Sequence, residues 1–169
     1  MPGVILVGLP GVGKSTAGRQ VAQKLDRSFH DTDDVLHGRF GLSSADMIRT
    51  VGVDVFRHRE FEVLRDLVAT NDVIATGGGI VTTRPARELL RATGRVIWLD
   101  SPPSLLRDRV ATGDRPLLGD DAAQRLVELD LERRPFYQEV ASAVVDATRP
   151  LTNVVSLIVE IVREWEACA

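Results

Sequence analysis

The chain has 169 residues, with 21 basic and 24 acidic side chains and a formal net charge of −3. That length suits one domain able to bury roughly 70% of its unfolded surface, and 44% hydrophobic with 27% charged residues excludes a disordered chain. The slight acidic excess argues against a nucleic-acid partner, and no apolar run approaches the roughly 18 residues needed to span a membrane.

The N-terminus lacks the basic n-region of a secretory signal. The one cysteine, Cys168, excludes an intramolecular disulfide and a cysteine-based metal cluster. A reducing, cytoplasmic setting is therefore expected. Nothing in the sequence forces a dimer, so a monomer is the default.

Along the chain, short apolar runs alternate with longer amphipathic stretches. Residues 4–7 (VILV) are an apolar run ending at Gly8. Residues 15–25 have helical spacing, with Ala17, Val21 and Leu25 on one face. Residues 28–31 are a weak strand candidate ending in acids. Residues 52–68 predict a long helix whose apolar positions are Val55, Phe56, Val63, Leu64 and Leu67. Residues 73–75 form a buried-type strand stopped by Gly77-Gly78-Gly79. A helix over 87–92, a strand over 96–99 and a helix over 104–110 follow. Residues 122–140 are mostly helical, with Pro135 a kink or boundary. Residues 144–145 are a short strand and 151–166 a terminal amphipathic helix. This alternation predicts an α/β fold, a parallel sheet covered by helices on both faces. With no repeat or linker, one domain over 1–169 is expected. Residues 112–121 (TGDRPLLGDD) break the pattern with Gly, Pro and Asp and predict a surface loop.

Residues 8–15 (GLPGVGKS) fit G-x-x-x-x-G-K-[ST], between an apolar run and an amphipathic helix as a phosphate loop requires. Glycines let successive N–H groups turn inward. The helix that follows offers its positive end to the same anion. Lys14 is placed to reach the β- and γ-phosphates and the Ser15 hydroxyl to ligate Mg²⁺. Thr16 adds a hydroxyl on the α-phosphate side. In a chain of this composition the pattern arises by accident on the order of once in a thousand sequences. Only two lysines occur, Lys14 and Lys24. One serves phosphate, and Lys24 reads as a solvated helix position.

A phosphate loop leaves the fate of the nucleotide open. Switch GTPases need an Asn-Lys-x-Asp element, which is absent. Many ATPases carry an apolar strand ending in Asp-Glu, whereas here the corresponding strand runs into Thr76-Gly77-Gly78-Gly79. A small kinase remains. A catalytically idle nucleotide-binding regulator is the rival from another class, and loss of Lys14, Asp33 or Arg115 would have signalled it.

Three polar clusters can supply the acceptor site. His30-Asp31-Thr32-Asp33-Asp34 falls where a strand ends, the side on which doubly wound sheets bind ligands. One Asp can hold Mg²⁺ through water and another can accept a proton from an attacking hydroxyl. A helix N-cap at Asp33 or Asp34 explains the spacing equally well. Arg57 and Glu60 are three apart on a predicted helix. They read either as a surface ion pair or as a fork for a substrate carboxylate with its orienting partner. Gly77-Gly78-Gly79 permits close approach of a ligand.

Taken in order, these pieces resemble the shikimate kinase family: GLPGVGKST at 8–16, DTD at 31–33, FRHRE at 56–60, TGGG at 76–79, GDRPLL at 113–118, RRPFY at 133–137 and a late Arg149. The resemblance implies a phosphate-loop fold of the nucleoside-monophosphate-kinase type, with a five-stranded parallel sheet and a lid over about 112–121. It implies transfer of the γ-phosphoryl group of ATP to the 3-hydroxyl of shikimate, a step toward chorismate and the aromatic amino acids.

By that resemblance Gly11, Val12, Gly13, Lys14, Ser15 and Thr16 bind the ATP phosphates. Ser15 and Asp31 serve Mg²⁺, and Asp33 binds shikimate hydroxyls as candidate base. Arg57 and Arg133 clamp the carboxylate, with Glu60 holding Arg57. Gly77, Gly78 and Gly79 offer backbone to the substrate. Arg115 neutralises phosphoryl charge from the lid, and Arg149 packs near adenine. The substrate-binding region lies over about 31–60. Pro135 favours Arg133 over Arg134 as the clamp, leaving Arg134, His58 and Arg59 as solvated surface. The nearest enzymatic rival is a gluconate-type kinase, which also phosphorylates an anionic polyol. FRHRE with TGGG favours shikimate.

Overall fold

The computed structural model describes residues 3–107 and 122–168. Five strands form one all-parallel sheet: β1 (Val4–Val7), β2 (Phe29–Asp31), β3 (Val73–Ala75), β4 (Val96–Asp100) and β5 (Ala143–Asp146), in the order β2-β3-β1-β4-β5. Every residue of β1 is fully buried, as a central parallel strand covered on both faces must be.

Seven helices accompany the sheet among the described residues: α1 (Lys14–Leu25), α2 (Thr32–Phe40), α3 (Ser44–Val51), α4 (Val53–Val68), α5 (Arg84–Thr93), α6 (Ala122–Val140) and α7 (Leu151–Ala167). Helix α1 packs on α7, whereas α5 packs on both α4 and α6, and α2 and α3 lie against α4. No helix of the described residues is long and apolar enough to cross a membrane.

The expected strands all form, within one or two residues of their expected ends. Several helical expectations need correction. Helices α2 and α3 occupy a stretch for which no helix is expected from pattern. Val55 is 43% exposed and lies off the buried face of α4, which is made by Phe56, Glu60, Val63, Leu64 and Leu67. Helix α6 runs through Pro135, which removes the boundary alternative there and keeps the helix expected over 122–140. The carbonyl this proline leaves without an amide belongs to Leu131, which is 74% exposed, so water can serve it. Of the helix expected over 104–110, the described part opens as a 3₁₀ turn, Pro103–Leu105, and the remainder falls outside the described residues.

The topology brings the carboxyl ends of β1, β2 and β3 side by side. Thr76, just past β3, donates its amide (3.1 Å) and its hydroxyl (3.0 Å) to the Leu6 carbonyl of β1. That double tie fixes the glycine run after β3 beside the glycine loop after β1.

Candidate active site

The phosphate loop leaves β1 at Gly8 and enters α1 at Lys14. Gly13, the N-cap of α1, has φ of 101°, a left-handed conformation that disfavours any side chain. No side chain caps α1, and a helix N-terminus of this kind offers its first-turn amides to an anion. The Lys14 ammonium is buried and donates to the carbonyls of Gly8 (2.8 Å) and Leu9 (2.9 Å). It is folded along the inside of its own loop.

Ser15 donates to Asp31 Oδ2 at 2.5 Å. Asp31 ends β2 and is also the N-cap of α2, its Oδ1 accepting from the Asp33 amide at 3.0 Å. The cap is therefore Asp31, and neither Asp33 nor Asp34 serves it; both lie in the first turn, favourably placed toward the helix dipole. One Asp31 oxygen serves the backbone and the other faces the Ser15 hydroxyl. A hydroxyl and a carboxylate oxygen converging beside a phosphate loop are hard donors suited to Mg²⁺.

The Asp33 carboxylate is hydrogen-bonded to the first turn of α3. Its Oδ1 accepts from the Ser44 hydroxyl at 3.0 Å. Glu60, from α4, is 1% exposed and receives Arg57 Nη1 at 2.5 Å. Burial pushes the Glu60 carboxyl up to about 7, against the opposing pull of Arg57 and Arg133 and with a further push from Asp33. The pair is thus no surface ion pair: the Arg57 side chain is also largely buried.

The three glycines have negative φ, so backbone conformation does not require them. Space does. A Cβ on Gly77 would lie 2.7 Å from Glu60 Oε1, one on Gly78 3.0 Å from Pro10 Cδ of the phosphate loop, and one on Gly79 2.6 Å from the Arg57 guanidinium carbon. The Gly77 amide is already taken by the Thr32 hydroxyl at 2.9 Å. The amides of Gly78 and Gly79 donate to nothing among the described residues, so they, and not Gly77, are the donors open to a ligand.

Arg133, on α6, faces Glu60 and the Tyr137 phenol. Its Nε is buried without a hydrogen-bond partner, an orphan donor of the kind a bound anion satisfies. Arg134 is not solvated surface: at 34% side-chain exposure it forks onto Asp100 (2.9 and 3.2 Å), reaches Asp130 (3.1 Å) and lies over the Trp98 ring. Arg59 likewise stacks on Phe40, while His58 and Lys24 are exposed as expected. Arg115 lies outside the described residues, as does the 112–121 loop.

Two pockets result. One, of about 460 Å³, is lined by residues 11–17, Asp31 and Thr76, with Arg149, Leu151 and Val154 at its far side. The other, of about 670 Å³, contains Arg57, Glu60, Gly79 and Arg133 and is walled by α2, α3 and α4. Asp33, Gly77 and Gly78 line both. Sequence reasoning missed much of the second wall: Pro10, Ser43, Ser44, Phe56, Arg125 and Leu129. It also missed Tyr137, whose hydroxyl donates to the Gly78 carbonyl at 2.7 Å. The RRPFY run was the only signal for Tyr137; nothing local pointed to Ser44.

A family model for shikimate kinase matches residues 10–163. A shikimate kinase from Symbiobacterium thermophilum is 45% identical over 168 residues, covering 95% of this chain and 96% of the relative. The solved shikimate kinase from Acinetobacter baumannii, in complex with shikimate, has a TM-score of 0.89 at 34% identity, covering 99% of this chain and 94% of that one. A gluconokinase from Sinorhizobium meliloti matches over 94% of this chain and 90% of its own with a TM-score of 0.64. At 23% identity it speaks to the shared fold alone. Arginines gathered beside a phosphate loop thus agree with relatives matched along nearly the whole chain, and the protein belongs to the shikimate kinase family of ATP-dependent kinases.

Proposed function

We propose that ATP occupies the pocket over the phosphate loop and shikimate the arginine-lined pocket, with transfer to the 3-hydroxyl at their junction. The observation that carries this reading is the sharing of Asp33, Gly77 and Gly78 by the two pockets. A donor and an acceptor there face each other across one carboxylate.

Phosphoryl transfer depends on positioning and charge neutralisation. The α1 amides and Lys14 hold the β- and γ-phosphates, Thr16 lies toward the α-phosphate, and Arg149 stands beside adenine. Ser15 and Asp31 would hold Mg²⁺, which when bound neutralises phosphate charge. The Arg57 and Arg133 guanidiniums clamp the shikimate carboxylate, a planar, bidentate task for which lysine is a poor substitute. Glu60 orients Arg57, and Gly78 and Gly79 lend their amides. The bond from the γ-phosphorus to the ADP oxygen breaks as the bond to the 3-hydroxyl oxygen forms, and the hydroxyl proton passes to Asp33. Arg115, placed here on the GDRPLL match alone, neutralises charge on the group in transit. A single kinase domain, monomeric and cytoplasmic, supplying the chorismate route, completes the reading.

A crystal structure with ADP and shikimate bound tests it. The expected complex has the carboxylate forked by Arg57 and Arg133 and a ring hydroxyl within hydrogen-bond distance of Asp33. A carboxylate bound elsewhere overturns the assignment.

A further inference from the structure

We propose that Ser44 is a positioning residue for phosphoryl transfer, its hydroxyl holding the Asp33 carboxylate at the junction of the two pockets. The proposal rests on the reading of Asp33 given above. Helix α3 begins with two adjacent serines, and only one of them serves the helix. Ser43 is the N-cap: its Oγ accepts from the Asp46 amide at 3.1 Å and donates to the Asp46 carboxylate at 2.7 Å. That satisfies the cap in full. The Ser44 hydroxyl is not needed there and instead reaches Asp33 Oδ1 at 3.0 Å. It crosses from the first turn of α3 to the first turn of α2, and both residues line the acceptor pocket.

Ser44 is one of the groups that restrain Asp33. Asp33 is an exposed aspartate, and its terminal torsion is soft. It also shares its surroundings with a second acid. A Cβ placed on Gly77 would lie 3.3 Å from Asp33 Oδ1 and 2.7 Å from Glu60 Oε1. Repulsion between two carboxylates favours rotamers that swing Asp33 into solvent, away from the γ-phosphoryl path. The Ser44 hydroxyl opposes that swing from the α3 side of the pocket. Once an acceptor covers the pocket and displaces water, the same hydrogen bond strengthens.

Steady-state kinetics of the full chain with ATP and shikimate, on the wild type, Ser44→Ala, Ser44→Thr and Ser43→Ala, test the proposal. Ser44→Ala is expected to lower kcat about 3–10-fold, the change that one net hydrogen bond corresponds to. Shikimate KM should move less than kcat, with ATP KM and Tm unchanged. Ser44→Thr keeps the hydroxyl and should restore kcat. Wild-type kcat in Ser44→Ala overturns the proposal. So does a Ser44→Thr as slow as Ser44→Ala, or an equal kcat loss in Ser43→Ala, which removes the cap and leaves Ser44 in place. Turnover of shikimate by the wild type is read separately. Its absence would remove the reading of Asp33, whereas normal wild-type turnover with an unaffected Ser44→Ala removes only the role of Ser44.

Discussion

Gly79 has the Arg57 guanidinium against the place where a Cβ would stand. Its neighbour Arg57 has Glu60 beneath it and lines the acceptor pocket. Gly79→Ala is therefore expected to push Arg57 off its position and raise shikimate KM at least about tenfold while sparing ATP KM; steady-state kinetics in each substrate measure this. Arg57→Lys keeps the charge and loses the fork. It should weaken shikimate binding by about 1.5–3 kcal/mol, read as shikimate KM. Glu60 yields a pH prediction. Its carboxyl is raised from an ordinary 4.5 to about 7 by burial. The folded protein thus binds that proton more tightly than the unfolded chain. The resulting stabilisation is full below pH 4.5 and is lost as pH rises toward about 7. Chemical denaturation across that window should show a decline that Glu60→Gln lacks. At this scale the sequence revealed the residues bound by chain spacing, such as the phosphate loop, whose geometry is local. It hid the partnerships that depend on packing. Ser15 on Asp31, Arg134 on Asp100, and Ser44 on Asp33 join residues from different elements, which no local pattern encodes.

Helix α6 shows how an element carries a site. Arg133 and Tyr137 are four apart and share a face. Tyr137 is fully buried, stacks on Trp98 at 5.9 Å, and hydrogen-bonds the Gly78 carbonyl. Burial pushes its phenol above the ordinary range, so it acts as a neutral donor. It pins α6, and with it Arg133, to the glycine run that both pockets share. Tyr137→Phe leaves that carbonyl without its donor, and a loss of about 1–3 kcal/mol of stability is expected. Thermal denaturation reads that loss, and the kinetic counterpart is a rise in shikimate KM larger than any in ATP KM. The long helices and apolar strands were legible from periodicity. Helices α2 and α3 were not. They are nine and eight residues long, and α2 has Asp33, Asp34 and Gly38 where a pattern would need an apolar face or good helix formers. Its start at Asp31 and its packing on α4 decide it instead. Pro135 lies inside the helix expected over 122–140, because an exposed carbonyl can lose its amide partner to water.

Across the whole molecule, the strand order sets the carboxyl ends of β1, β2 and β3 in a row and so aligns the phosphate loop, the DTD run and the glycine run. The parallel sheet was legible because its central strands β1 and β3 are apolar throughout and the strands are separated by helices. The division into two pockets was not, since it needs α2, α3 and α4 to wall the second one and Asp33 to stand between. The central claim is that donor and acceptor meet at Asp33. Coupled ADP release, with shikimate or gluconate as acceptor, tests it most directly when run on the wild type and on Asp33→Asn with ATP binding followed in parallel. The account predicts shikimate-dependent release by the wild type, none with gluconate, and loss of release in Asp33→Asn with ATP binding nearly intact. Turnover of gluconate in place of shikimate, or an Asp33→Asn protein that still transfers at the wild-type rate, would contradict it.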